Sequence, residues 1–335
     1  MTEERPVIVI PMGDPAGIGP EITVKALADE KIIETARCVV TGDKGILAEA
    51  VRICGTDQKL HEIEDPSEGL YTSGVIDVID LRNIDPEKFA YGKVSAMCGR
   101  AAYEYIEKAV GLAMEGKADA VATTTINKES LRAAGVEGIG HTEIFGRLTG
   151  TSDPLTMFEL EDLRVLFLSR HVSLRQACDL VTKDRIISYV RRGYEALRQL
   201  GIDHPRIAVA GLNPHCGEHG LFGDEEVKEI MPAVKQLQAE GYNAEGPISA
   251  DAVFWQARQG KYDCVLSMYH DQGHIATKSV DFNRTISITC GMPVLRTSVD
   301  HGTAFDIAGT GKADDISMKE AILKAARYAP YFRKQ

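Results

Sequence analysis

The sequence predicts an α/β fold with a substantial parallel sheet, on three observations. Short apolar runs alternate with segments of helical periodicity along the whole chain. The runs are uniformly apolar rather than alternating with polar residues, as befits strands buried on both faces. Composition is that of a globular protein, with 335 residues, 44% hydrophobic and 26% charged, enough for one large or two medium domains.

In chain order, Val7–Ile10 is a strand-sized run closed by Pro11, and Glu21–Leu27 has helical periodicity. Cys38–Thr41 is the next strand, and Glu62–Gly69 reads as a surface loop. A helix over Ala101–Glu115 leads to a strand at Ala120–Ala122. Val165–Leu168 is a strand, followed by one long helical segment, Leu174–Leu200. Strand Arg206–Ala210, helix Glu225–Ala239, strands Val265–Met268 and Thr285–Thr289, and helix Met318–Ala329 complete the alternation. Glu104, Lys108 and Glu115 alternate in sign, as do Glu225, Lys228, Glu229 and Lys235, and read as solvated helix faces. There is no internal repeat, no low-complexity tract and no composition shift marking a linker.

Net charge is −11, which argues against nucleic acid as a partner. No apolar run approaches the ~20 residues of a membrane-spanning helix, and the acidic, polar start Met1–Arg5 is not a signal peptide. Seven scattered cysteines without a CxxC pair point to a reducing cytoplasm.

Five segments carry candidate chemistry. Gly13–Ile22 (GDPAGIGPEI) follows a strand and opens a helix, and its glycines allow a tight turn and close approach of a ligand; a plain βα turn is the competing reading. It is neither a GxGxxG fingerprint nor a Walker A loop. His171, His215 and His270 each follow a strand end, where ligands collect in open α/β sheets, and could converge on one metal. His61, His204 and His219 lack that placement and read as surface or locally bonded residues. In Gly140-His141-Thr142-Glu143, a His-Thr pair at a helix start can grip an anion, against the plainer reading of Thr142 as N-cap. Lys278, Arg284 and Arg296, spaced through the last strand region, could clamp an anionic substrate. The Gly- and Asp-rich stretch 298–314 has little core material and is costly to order unless it binds something.

Together these segments resemble the 4-hydroxythreonine-4-phosphate dehydrogenases of vitamin B6 biosynthesis. The resemblance rests on GDPAGIGPE (13–21), INK (126–128), GHTE (140–143), GLNPHCGEHGLFG (211–223), MYHDQG (268–273) and RTSVDHGTAFDIAGTGKAD (296–314), in the family's order. The first and last blocks also look like isopropylmalate and isocitrate dehydrogenases. The resemblance implies two α/β/α domains with a cleft between them. The first spans residues 1–140 plus 290–335 on the nucleotide side, and the second spans 141–289 on the metal, substrate and dimer side. It implies a homodimer with shared active sites. His171, His215 and His270 become ligands of one divalent metal ion (Zn, Mg, Mn or Co), and His141, Thr142, Lys278, Ser287 and Arg296 become substrate contacts. By analogy with the isopropylmalate enzymes, NAD lies along Asp14, Gly17, His301, Gly302, Thr303, Asp306 and Gly309. Lys128, Asp251 and Asp271 are candidate bases or supports of other site residues; Glu21 reads as a first-turn residue favoured by the helix dipole.

One departure from the family pattern bears on substrate. The B6 enzymes carry an Asn where this chain has Ser287, the stretch Ser279–Asn283 is changed, and His274 follows Asp-Gln-Gly. This resembles the branch that oxidises D-threonate or D-erythronate 4-phosphate, with a hydroxyl where the B6 precursor carries an amine. The implied reaction is oxidation at C3 by NAD and loss of CO2 to give dihydroxyacetone phosphate, with the phosphate kept as a binding handle. The alternative is the 4-hydroxy-L-threonine 4-phosphate reaction of pyridoxal phosphate synthesis. A metal-dependent phosphohydrolase and a non-catalytic metabolite-binding protein are the rivals from other classes; neither explains both the histidines and the long 301–314 loop.

Overall fold

A computed structural model of the chain describes residues 5–138 and 140–332, so the polar start at Met1–Glu4 lies outside the described residues. The strands are β1 (Val7–Pro11), β2 (Arg37–Gly42), β3 (Lys59–Glu62), β4 (Val75–Asp80), β5 (Ala120–Thr123), β6 (Leu155–Leu160), β7 (Leu163–Phe167), β8 (Ile207–Ala210), β9 (Ala244–Ile248), β10 (Cys264–Ser267), β11 (Ile286–Cys290) and β12 (Arg296–Val299). Every strand expected from an apolar run is present. The chain divides into two compact units, 1–154 with 292–335, and 155–291.

In the first unit the strand order is β3-β4-β2-β1-β5-β12, and every pairing is parallel. Its strands β1, β5 and β12 are buried on both faces, whereas the edge strand β3 is exposed or partly buried along its length. Val7 and Val9 pack with Ile106, Ala109 and Val110 of the helix Ala96–Met114, while Ile8 and Ile10, which alternate to the opposite face, are also fully buried. The helix His141–Thr149 places Ile144 and Phe145 in that same core. This burial ties His141 and Thr142 to the first unit. The expected boundary at residue 140 therefore falls later, after Pro154, and the second boundary falls after Gly291.

In the second unit the order is β11-β6-β7-β10-β8-β9. β11 and β7 run antiparallel to β6; β7, β10, β8 and β9 are parallel neighbours. Pro247 sits in β9, an edge strand, where a missing donor is tolerated.

Three expectations change. The single helix over Leu174–Leu200 is two, Leu174–Asp179 and Lys183–Gln199, because Thr182 is extended and serves as N-cap of the second. The loop Glu62–Gly69 contains the end of β3 and a 3₁₀ turn, Pro66–Glu68. The charged helix faces are not simply solvated: Glu225 accepts a bond from Asn213 Nδ2 at 2.6 Å, Glu229 from the Lys183 amide at 2.6 Å, and Glu104 from Asn83 at 2.7 Å.

Candidate functional site

In the first unit, β1 delivers Gly13–Ile22 to the start of the helix Gly19–Ala26. Gly13 has φ +81°, and a Cβ there would stand 2.3 Å from Thr124 Oγ1 and the Thr125 carbonyl, so the turn requires glycine. Asp14 is fully buried and works within the turn. Its Oδ1 accepts the Ala16 amide at 2.9 Å and its backbone carbonyl accepts the Gly17 amide. Oδ2 is buried with no partner, and burial pushes the carboxyl up to about 6 despite the bonds from Ala16 and Ser130. The side chain placed on the cofactor by resemblance thus shapes the loop's own backbone.

That loop is joined to the Gly-rich stretch after β12. The Ile18 amide donates to the Thr303 carbonyl, and a Cβ on Gly17 would lie 2.9 Å from Thr303 Cβ. Glu21, buried, accepts the Gly309 amide at 2.6 Å and the Gly311 amide at 2.7 Å. One turn on, Lys25 Nζ donates to the carbonyls of Gly311 and Ala313. Glu21 is therefore a clamp on the second loop, not simply a residue favoured by the dipole. His301 is held through Nε2 to Ser317 Oγ at 2.7 Å, while Gly302 and Asp306 stand exposed. The candidate nucleotide residues Asp14, Gly17, His301, Gly302, Thr303, Asp306 and Gly309 thus lie on two mutually bonded loops.

A second cluster in this unit gathers at the helix His141–Thr149. Gly140 is the N-cap, with no side-chain cap bond, so Thr142 is not the cap but the second helical residue. Arg296, the first residue of β12, is 4% exposed; its Nε and one Nη donate to Thr123 Oγ1 at 3.2 and 3.0 Å, and its guanidinium lies 5.2 Å from the Phe145 ring centre. Burial lowers its pKa to about 9, still cationic at neutral pH. Burial and then the Arg296 charge hold the His141 imidazole well below its usual pKa, hence neutral. Lys128 is exposed at the start of the helix Lys128–Ala133.

In the second unit, β7, β8 and β10 are parallel neighbours, and His171, His215 and His270 all follow their carboxyl ends. The rings of His171 and His270 are 6.1 Å apart, and both line a cavity of about 270 Å³ with Arg170, Tyr269 and Asp271. His270 Nδ1 is 2.6 Å from Asp271 Oδ1, an arrangement that leaves Nε2 to face a ligand. His215 is exposed in a left-handed run, His215–His219, with φ from 42 to 72°. Among the described residues no three His, Cys, Asp or Glu side chains come together as a metal site, so this chain brings together two of the three histidines. Glu226 anchors the loop bearing His215: fully buried, it accepts the Leu212 and Asn213 amides and Asn213 Nδ2.

Lys278 ends the helix His270–Lys278 with Nζ 5.0 Å from the Phe282 ring centre, so it belongs to a helix rather than the last strand region. Arg284 is exposed, held near Asp281. Ser287 is 8% exposed in β11, directly opposite Phe158 of β6. Asp251 is exposed and accepts the Ser249 hydroxyl at 2.6 Å. Sequence reasoning missed Arg170, Glu226, Lys25 and the clamp role of Glu21. A buried acid facing backbone amides leaves no periodic trace, and Arg170 was signalled only by its place beside His171.

Comparison with known proteins gives one consistent result. The family described as "Pyridoxal phosphate biosynthetic protein PdxA" matches residues 34–325. A Clostridium botulinum protein named "Putative D-threonate 4-phosphate dehydrogenase" is 57% identical over 334 residues, 100% of both chains. A Fusobacterium nucleatum protein of the same name is 60% identical over 329 residues, 98% of this chain and 99% of that one. Among solved structures, a 4-hydroxythreonine-4-phosphate dehydrogenase from Klebsiella pneumoniae superposes with a TM-score of 0.90 at 43% identity, covering 98% of this chain and 99% of that one.

Proposed function

Because the chain belongs to the PdxA family, we propose that it oxidises and β-decarboxylates D-threonate 4-phosphate or D-erythronate 4-phosphate, with NAD as hydride acceptor and one divalent metal ion per site. Family membership makes it a dehydrogenase acting on a 4-phosphorylated hydroxy acid. The sugar-acid substrate is favoured by the names of its relatives and by Ser287, whose hydroxyl replaces an amide. The observation that carries the reading is the His171–His270 pair beside the cavity, with Asp271 on His270 Nδ1.

The residues fit a metal of imidazole preference. His171 and His270, with His215, would hold it, and nitrogen donors favour Zn, Co or Mn over Mg. When bound, such an ion supplies Lewis-acid polarisation of the substrate hydroxyl and carbonyl. Asp271 fixes the tautomer of His270 and is thereby an orienting group rather than the base; Lys128 and Asp251 remain the candidates for that role. Arg296, His141 and Thr142 take the phosphate: a buried, already oriented guanidinium gains most from an anion, and a neutral imidazole can donate to it without adding charge. Lys278, at the end of its helix in the second unit, is a substrate contact by the family resemblance. The linked loops around Thr303 and Glu21 hold NAD.

We further propose a homodimer whose sites are shared, the three histidines reaching one ion only when two copies contribute. In support, Leu221, Trp255, Ile275 and Phe282 of the second unit stand 71, 65, 66 and 59% exposed. The cytoplasm is the compartment that suits seven free cysteines. Among the described residues no helix is long and apolar enough to cross a membrane.

The test is absorbance at 340 nm with NAD, a divalent metal and, in parallel, D-threonate 4-phosphate, D-erythronate 4-phosphate and 4-hydroxy-L-threonine 4-phosphate. Chelator-sensitive NADH formation with a sugar acid is expected. Turnover of the amino substrate alone would return the protein to pyridoxal phosphate synthesis.

A further inference from the structure

One helical turn beyond His270, on the same face of the helix His270–Lys278, stands a second imidazole, His274. It is 8% exposed, and its ring is held on three sides. It stacks on Phe167 at 4.8 Å and 26°, meets Phe158 edge-on at 4.3 Å and 70°, and lies 4.1 Å from the His270 ring at 34°. Its Nδ1 is buried with no hydrogen-bond partner, so no hydrogen bond at that atom accounts for its position.

His270 needs two constraints to present Nε2 in one direction. The bond from Nδ1 to Asp271 fixes one edge of the ring but lets the ring swing about that bond. A rigid ring against its face removes the swing. Phe158 and Phe167 belong to β6 and β7, so the face that His270 meets is anchored in the sheet. We propose that His274 is a positioning residue for His270, fixing the plane of its imidazole by ring contact. The proposal rests on the reading of His270 as a metal ligand. It assigns the work to the flat ring face, not to the nitrogens. Phenylalanine should therefore replace His274, and a non-planar side chain should not.

The experiment uses the full-length, metal-stripped protein and Co²⁺, followed by calorimetry and by the visible absorption of the bound ion. His274→Phe is expected to bind Co²⁺ within about 3-fold of wild type with an unchanged spectrum. His274→Ala is expected to lose about 10- to 100-fold in affinity, with an altered band, as for removal of other groups that orient a ligand. His274→Leu, which fills the space without a flat face, should follow the alanine variant and replaces it should that one not fold. Wild-type affinity in His274→Leu, or an equal loss in His274→Phe, overturns the proposal. His270→Ala is the separate check: if it binds Co²⁺ like wild type, the metal-ligand reading itself falls, and this inference with it.

Discussion

Replacing Asp14 by asparagine should change how stability depends on pH. The Asp14 carboxyl is fully buried, has one oxygen without a partner, and titrates at about 6 rather than 3.8. Desolvation is the largest cause, and the Ala16 and Ser130 bonds offset only part of it. A raised acid pKa means that the folded state holds the proton more tightly than the unfolded chain. The stabilisation it gives is complete below 3.8 and is lost as pH rises through about 6. The difference amounts to about 3 kcal/mol. The asparagine side chain keeps an acceptor for the Ala16 amide and has no proton to lose. Between about pH 4 and 7.5 the wild type should lose about 3 kcal/mol relative to D14N. For a chain of this length unfolding as one unit, that is on the order of 4 °C in relative midpoint. Melting of both proteins by circular dichroism across that range is the assay. Parallel pH profiles would refute the argument, for they would mean that the carboxyl titrates in the fold as it does in the unfolded chain.

Other expectations follow from single contacts. Arg296→Met should raise the KM for a phosphorylated substrate by roughly 10- to 150-fold, the equivalent of a charged hydrogen-bond interaction of about 1.5–3 kcal/mol, and leave the KM for NAD within about 2-fold; steady-state kinetics in both substrates separates the two. Glu21→Gln turns one acceptor into a donor facing a backbone amide of Gly309 or Gly311. Amide exchange in the 305–315 segment should accelerate about 10-fold or more, and unchanged exchange would mean that the clamp is redundant with Lys25. Ser287→Asn should shift the ratio of kcat/KM toward 4-hydroxy-L-threonine 4-phosphate by about 10-fold or more, measured by competition between the two substrates.

How much of this was legible in the sequence depended on whether a residue's role left a pattern. Strands such as Val7–Pro11 and Cys264–Ser267 are buried on both faces and announce themselves as apolar runs. β4 and β6 did not, because each carries a buried acid. Asp77 accepts the Leu70 and Tyr71 amides, and Glu159 lies 3.6 Å from Arg164. The short helices His141–Thr149 and His270–Lys278 begin with candidate site residues, so polarity masked their periodicity. Placement of the histidines at strand ends was readable, since topology follows from the alternation of elements. The contacts of Glu21 and Glu226 were not, because an acid facing backbone amides far along the chain looks, in one dimension, like any acid at a helix start.

Two of the departures from the family's pattern, Ser287 and His274, meet in the structure through one side chain. Ser287 is directly opposite Phe158 across an antiparallel pair, and such partners project from the same face of the sheet. The Phe158 ring in turn packs edge-on against His274. A change at either position is therefore felt by the same phenylalanine, and through His274 by His270. Residues that share a partner in this way are not energetically independent. Ser287→Asn and His274→Leu should accordingly combine non-additively, with a coupling of at least about 0.5 kcal/mol in kcat/KM for the sugar acid. Strict additivity in that double-mutant cycle would show that Phe158 does not link them, and that selectivity at Ser287 is set by its hydroxyl alone.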